Sequence, residues 1–275
     1  MSATGRRAAS VLFSLAAAIA MLFVLTIPAS AHYPGAVIKS KWAATIPSID
    51  GIFGPGEWSD ATVLDLQATD PLNELKAYVY FKNWGYYLYV CMDVPGDITE
   101  DVQDSSLLSF DTGNDAIYTD GHEAMFAIDF GTTWHYVWDG SISDYVVHCS
   151  PFDPALLFHS GLLGAQGFHS SPNGAQAHRI YEYQIPLALV LAVPGDTIGL
   201  GINGILYMGI LDGSTGRGDQ WPFLRWGPLE LGEYGDLVLA KPPPVPSLSE
   251  WSLGALTLLV GAVLIFGVKR KGLME

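Results

Sequence analysis

Positive charge is what this chain has least of: 13 Lys and Arg stand against 28 Asp and Glu among 275 residues. Five of those bases (Arg6, Arg7, Lys269, Arg270, Lys271) sit near the termini, as do the acids Glu250 and Glu275. Between His32 and Lys241, eight bases therefore face 26 acids, a formal charge of −18. Such a surface repels phosphate backbones and anionic lipid and attracts divalent cations. Nucleic-acid binding is excluded. Gly-x-Ser-x-Gly, His-Glu-x-x-His and a phosphate loop are all missing, so hydrolase chemistry is not indicated. Sustained helical periodicity and internal repeats are missing too. Cysteine is limited to Cys91 and Cys149.

Long apolar runs occur only at the two ends. Arg6 and Arg7 precede an apolar stretch from Val11 to Ile27 and the small residues Ala29-Ser30-Ala31. This is the pattern of an export signal over residues 1–31, cleaved after Ala31 to leave His32 first. At the other end Pro242, Pro243, Pro244 and Pro246 form an extended spacer over 242–252, because proline fits neither a helix interior nor a central strand. Leu253 to Val268 carries no charge and would span about 24 Å as a helix at ~1.5 Å per residue. Trp251 and the bases after it could extend that span to both interfaces. The tail 269–275 begins Lys-Arg-Lys, which stays cytoplasmic and places everything before it outside.

Pro246-Ser247-Leu248-Ser249-Glu250-Trp251, the apolar span and the basic tip resemble the IPTL-CTERM type of bacterial sorting signal. Val245 and Ser247 depart from its literal letters. The resemblance implies recognition by an exosortase-like processing enzyme and delivery to the cell surface. The alternative is an uncleaved single-span transmembrane anchor, and both readings put residues 32–241 outside the cytoplasm.

Residues 32–241 suffice for one core, most simply one domain. Their short apolar and aromatic segments, cut by Gly, Pro, Asn and Asp, are the signature of an all-β sandwich. Leu75 to Val94 reads as a hairpin turning at Asn83-Trp84-Gly85, with the glycine at positive φ. Other strands are expected at Ala36–Ala43, Thr62–Leu66, Glu123–Asp129, Thr133–Trp138, Tyr145–Cys149, Arg179–Ile185, Thr197–Ile210 and Gly235–Ala240, with one helical turn at Leu187–Leu191. Long connections are expected at Pro95–Phe110, Ser150–Pro172 and Asp212–Pro222. An exported chain with two strand cysteines favours a Cys91–Cys149 disulfide, the alternative being two buried thiols.

Ile49-Asp50-Gly51, Glu57-Trp58 and Ala61 open this region. Tyr86-Tyr87-Leu88-Tyr89-Val90 with Asp93 follows, then Tyr181-Glu182-Tyr183-Gln184-Ile185-Pro186-Leu187, and Gly235-Asp236-Leu237-Val238-Leu239 closes it. As a set these resemble the family 9 carbohydrate-binding modules and their DOMON-like relatives. The resemblance implies a non-catalytic β-sandwich that binds sugars among its loops, with structural calcium in some members.

Three sets of residues are candidates for a site. Asp111, Asn114, Asp115, Asp120 and Glu123 could supply oxygens to calcium, which takes six to eight of them. Trp221, Trp84 and Trp226 lie beside a Gly-rich loop or at a turn and could stack on the flat C–H faces of a polysaccharide or glycan. Trp134 and Trp138 share one strand face by their even spacing, whereas Trp58 is expected in the core. Finally, an N-terminal His32 could form a copper brace with His122, His135, His148, His159, His169 or His178, as in polysaccharide monooxygenases. The binding reading leads. A structural or adhesive surface protein without a small ligand is its alternative, and the copper enzyme is a third.

Overall fold

The computed structural model describes residues 32–66, 76–101, 103–129, 131–149, 161–202, 210–212, 217–219, 221–222 and 230–244, with Gly254, Thr257 and Leu258. The signal segment 1–31 and Trp226 lie outside these residues, as does most of the span Leu253–Val268. Gly254, Thr257 and Leu258 are helical. Among the described residues no helix is long and apolar enough to cross a membrane. Two compact units divide the chain, Met1–Ala240 and Lys241–Glu275.

The first unit is built from strands. In chain order these are β1 (Val37–Lys39), β2 (Lys41–Trp42), β3 (Thr62–Asp65), β4 (Tyr78–Trp84) and β5 (Tyr87–Val94). They continue as β6 (Ser105–Asp111), β7 (Ala124–Asp129), β8 (Thr132–Asp139), β9 (Asp144–Cys149) and β10 (Leu163–Ser171). Last come β11 (Gly174–Pro186), β12 (Thr197–Ile202), β13 (Ile210–Asp212), β14 (Arg217–Asp219) and β15 (Gly235–Val238). One sheet runs β1-β15-β12-β6-β7-β8-β9, with β13 on β6 and β14 on β13. The second runs β10-β11-β5-β4, with β2 and β3 both on the free edge of β4. The expected all-β sandwich is what forms.

The core lies between the sheets because alternate residues of each strand point inward. Val79, Phe81, Leu88, Val90, Met92, Tyr181, Tyr183 and Ile185 meet Leu108, Phe110, Phe126, Ile128, Leu200, Ile202 and Leu237, all buried. Burial of each such side chain contributes on the order of 1.5–3 kcal/mol. Ala36–Ala43, expected as one strand, is broken at Ser40. Val37–Lys39 pairs with β15 in the first sheet, and Lys41–Trp42 pairs with β4 in the second. The Ser40 hydroxyl donates to Asn83 Oδ1 at this crossover. Asn83 Nδ2 also donates to the Ala240 carbonyl at 3.0 Å, and its Oδ1 accepts the Ala240 N–H at 2.9 Å.

The second sheet is buried on its outer face as well. Trp58, Ala61, Tyr80, Tyr89, Cys91 and Ile180 form a separate apolar layer under the segment that links β2 to β3. Glu182 fastens that segment: Oε2 accepts the N–H groups of Asp50 and Gly51 at 3.0 and 2.9 Å, and Oε1 accepts the Trp58 indole N–H at 3.0 Å. Burial raises the Glu182 carboxyl to about 7 against the pull of those three donors. Lys82 is buried beside it, donating to the Thr45 and Glu57 carbonyls and to Asp60 Oδ1, with its ammonium 5.1 Å from the Trp58 ring centre.

Three strands fall where connections were expected: β6, β10 and the short β14. β6 is rich in serine and poor in β-branched residues, and β10 carries Gly164 and Gly167, which read as turn residues. Packing rather than turning requires those glycines. A Cβ on Gly164 would stand 2.3 Å from Thr133 Oγ1, and one on Gly167 would stand 2.1 Å from the Gly51 carbonyl. The Cys91–Cys149 disulfide is not formed. Cys91 is a free, buried thiol on the outer face of β5, whereas Cys149 ends β9 at the edge of the other sheet. Burial pushes the Cys91 thiol well above its ordinary range.

Gly51 has φ +79°, and a Cβ there would lie 2.5 Å from the Gln166 backbone carbon. Gly85 has φ +57°, with open space around the missing Cβ. Gly51→Ala should therefore cost more than about 2–3 kcal/mol, and Gly85→Ala only about 1 kcal/mol of backbone strain. Urea unfolding midpoints of the two variants check this. Equal losses would contradict the packing role of Gly51.

Candidate functional site

Of the three sequence-ranked tryptophans, Trp226 lies outside the described residues, and Trp221 and Trp84 occupy different parts of the fold. Trp221 is only 2% exposed. It bridges to Ile202 in the core, and its ring occupies the space a Cβ on Gly235 would fill, 2.1 Å from Cη2. Trp84 ends β4 and is exposed at the hairpin tip of the second sheet. Trp58 is buried, as expected.

The acidic loop is a set of turn-forming bonds. Asp111 Oδ2 accepts the N–H groups of Asp115 and Ala116, Asp115 Oδ1 accepts that of Ile117, Asp120 Oδ1 that of Gly140, and Glu123 Oε2 that of Thr119. Among the described residues no group of three or more His, Cys, Asp or Glu could hold a metal ion. Asp111 Oδ1 and Asn114 Oδ1 are buried acceptors without a hydrogen-bond partner.

His32 is not available for a copper brace. Its Nε2 lies 2.9 Å from Asp111 Oδ2 and its Nδ1 lies 2.9 Å from Asp236 Oδ1. Both ring nitrogens face carboxylate oxygens, an arrangement that favours a proton on each. Gly199 makes room for the imidazole, since a Cβ there would stand 2.4 Å from the ring. Burial opposes the charge, but the bonds to Asp111 and Asp236 outweigh it and raise the His32 pKa. Burial likewise opposes the Asp111 charge, and the His32 bond leads the causes that hold its carboxyl below the ordinary range.

The aromatic group that the fold does assemble lies on β8. His135 is buried and stacked on Phe126 at 4.6 Å, which turns that parity of the strand inward. Trp134, Tyr136 and Trp138 therefore share the outer face of the first sheet. Their rings form a stripe. Trp134 and Tyr136 stack at 6.3 Å, Tyr118 lies over Trp138 at 4.2 Å, and Tyr145 meets Trp138 edge-on at 5.4 Å. Beside the stripe the same face continues with Met125 and Leu107 as well as the small residues Ser109, Ala127 and Gly201. In register, Tyr136 pairs with Met125, Met125 with Ser109, and Ser109 with Gly201, while Trp134 pairs with Ala127.

Polar groups edge this stripe. Burial, then the Glu230 and Glu123 carboxylates, pushes the Tyr118 phenol up to about 12. Burial and Asp129 raise that of Tyr136. Both stay neutral near pH 7, each with a hydroxyl able to donate and accept. The Ser105 hydroxyl is buried at the end of β6 without a hydrogen-bond partner. Rings, hydroxyls and carboxylates on one half-buried face suit a ligand with apolar C–H faces and many hydroxyls. Even spacing marked Trp134 and Trp138 in the sequence. Tyr118 and Tyr145 join them only through the fold.

Residues 243–270 match the model of the IPTL-CTERM motif. No curated protein matches the chain. Among solved structures, the chain is similar to a family 9 carbohydrate-binding module from Caldicellulosiruptor kristjanssonii in complex with glucose. The two share 14% identity over 77% of this chain and 100% of the other, with a TM-score of 0.47. A family 9 carbohydrate-binding module from the same organism in complex with cellotriose gives 15% identity over 77% of this chain and 98% of the other, with a TM-score of 0.49.

The His32 clamp has a pH signature. A raised histidine pKa contributes stability that is fully present below the ordinary value of 6.5 and lost as pH rises through the folded value. The depressed Asp111 pKa contributes stability above the ordinary carboxylate value, lost as pH falls through the folded one. The melting temperature should fall as pH rises past about 6.5, and His32→Ala should flatten that slope. A wild-type and variant pair with parallel pH profiles would contradict the clamp.

Proposed function

We propose that this is an exported, surface-sorted, non-catalytic protein that binds polysaccharide or glycan on the Trp134–Tyr136–Trp138 stripe. The observation that carries the reading is the stripe itself. Three rings occupy alternate positions of one strand, with phenols and the Glu123, Glu230 and Asp129 carboxylates near them. The sorting part rests on the IPTL-CTERM motif, which supports export and surface delivery. Its finer features extend that support: an exosortase-like enzyme processes the C-terminus, and Leu253–Val268 holds the chain in the membrane at least until then.

Binding fits the rest of the molecule better than catalysis does. His32 is committed to two carboxylates, and His178 to Asp93 at 2.6 Å. Glu182, raised to about 7, is closed off beneath Trp58 and donates nothing to solvent. Hydroxyls and carboxylates beside the rings favour a hydroxylated ligand over the alternative of an adhesive surface protein without a small ligand.

Retention on immobilised polysaccharides tests the reading. Trp134→Ala and Trp138→Ala should each weaken binding by about 1–3 kcal/mol, the scale of a lost aromatic contact. Trp221→Ala should instead lower stability by about 3–5 kcal/mol as a core truncation. Binding that survives both stripe substitutions unchanged would discard this site.

A further inference from the structure

We propose that the ring stripe on β8 selects glycans whose sugars carry free amino groups, protonated to ammonium, over neutral and acidic ones. The inference rests on the reading of the stripe as a glycan site. The rings make the site, and the charges around them choose among sugars.

No Lys or Arg occurs between Lys82 and Arg179, a stretch that holds 13 Asp and Glu. Strands β6, β7, β8 and β9 all lie within it, so the half of the first sheet that carries the stripe has no base of its own. Lys39 stands on β1 at the opposite edge of that sheet. Five strand spacings of about 4.8 Å put it roughly 24 Å from β8. Arg217 on β14 pairs in register with Asp212, and Arg225 lies outside the described residues.

Carboxylates stand at both ends of the stripe. At one end Trp138 is opposite Tyr145, and the next pair in register is Asp139 with Asp144. Like charges directly opposite on neighbouring strands are unfavourable, and a cation between them removes the cost. Asp120 reaches the same turn, its Oδ1 accepting the Gly140 N–H at 2.9 Å. Burial and then the Glu230 carboxylate raise the phenol of Tyr118, the ring that lies over Trp138, so Glu230 is beside it.

At the other end register places Asp129 on the face of the stripe, since Trp134 pairs with Ala127 and Thr132 with Asp129. Ser105 is opposite Asp129. The neighbouring Ser106 bonds Tyr183 in the core, which turns Ser105 to the stripe's face. The Ser105 hydroxyl is buried there without a hydrogen-bond partner.

An ammonium group suits this surface twice over. Carboxylates form charge-assisted hydrogen bonds with it, and the faces of Trp and Tyr attract a cation within about 6 Å. A uronate or sulfate is repelled by the same field. Single exposed ion pairs are weak. From Trp134 to Trp138, however, the strand advances about 13 Å, so a chain of amino sugars meets the carboxylates of both ends at once.

The test titrates the full chain in neutral detergent, at about pH 6 where the amines are protonated. The ligands are a soluble glucosamine oligomer and the same oligomer N-acetylated, followed by isothermal calorimetry. The free-amine form should bind at least about tenfold tighter at low salt. In 1 M salt, where screening acts beyond about 3 Å, that preference should shrink to about threefold or less. Glu230→Gln combined with Asp144→Asn should lower affinity for the free-amine form at least about threefold. Equal affinity for both oligomers, or a preference that this double variant leaves whole, overturns the inference alone. So does failure to bind either oligomer by a protein that retains a neutral polysaccharide. Binding that Trp134→Ala leaves unchanged overturns the stripe reading and takes the inference with it.

Discussion

Two opposite charges buried on one face of one sheet hold this structure in its form. Taking either Glu182 or Lys82 out of water costs several kcal/mol unless each finds partners of good geometry. Glu182 finds three N–H donors from Asp50, Gly51 and Trp58. Lys82 finds two carbonyls and Asp60. All of these partners lie between Thr45 and Asp60. The charges therefore oblige that segment, which has no strand of its own, to lie flat across the second sheet. Trp58 then serves both, bonded to the carboxylate and facing the ammonium.

The consequence is a division of labour between the sheets. With its outer face roofed by Trp58, Tyr80 and Ile180, the second sheet presents no open face there for a ligand. The first sheet carries the ring stripe on its outer face, and its far end is closed by the His32–Asp111–Asp236 clamp. That clamp joins residues 204 apart in sequence, so the start of the exported region is secured to its last strand.

The sequence was most legible where structure is local. Alternation in Tyr78–Trp84 and Tyr87–Val94 specified a hairpin, and Gly85 has the positive φ its position required. Legibility failed where a residue's reason is a distant neighbour. Gly164 and Gly167 look like turn signals, yet they are strand residues kept small by Thr133 and Gly51. Trp221 sits by a Gly-rich stretch that suggested a binding loop, but the backbone of Gly235 made a slot for it in the core. Composition offered Asp111 as a metal ligand because carboxylates in loops attract cations. Its hydrogen bond to a histidine 79 residues earlier left no local trace. Of the site, the even spacing of Trp134 and Trp138 was readable. Burial of His135, which decides that their face is the outer one, was not.

The central claim is that ligand meets the stripe on β8 and leaves the core tryptophans alone. Indole N–H resonances in a proton–nitrogen NMR spectrum report each tryptophan separately. Titrating the protein with the polysaccharide it retains best should shift the signals of Trp134 and Trp138 while those of Trp58 and Trp221 stay in place. Shifts confined to other tryptophans, with Trp134 and Trp138 unmoved at saturation, would contradict the account.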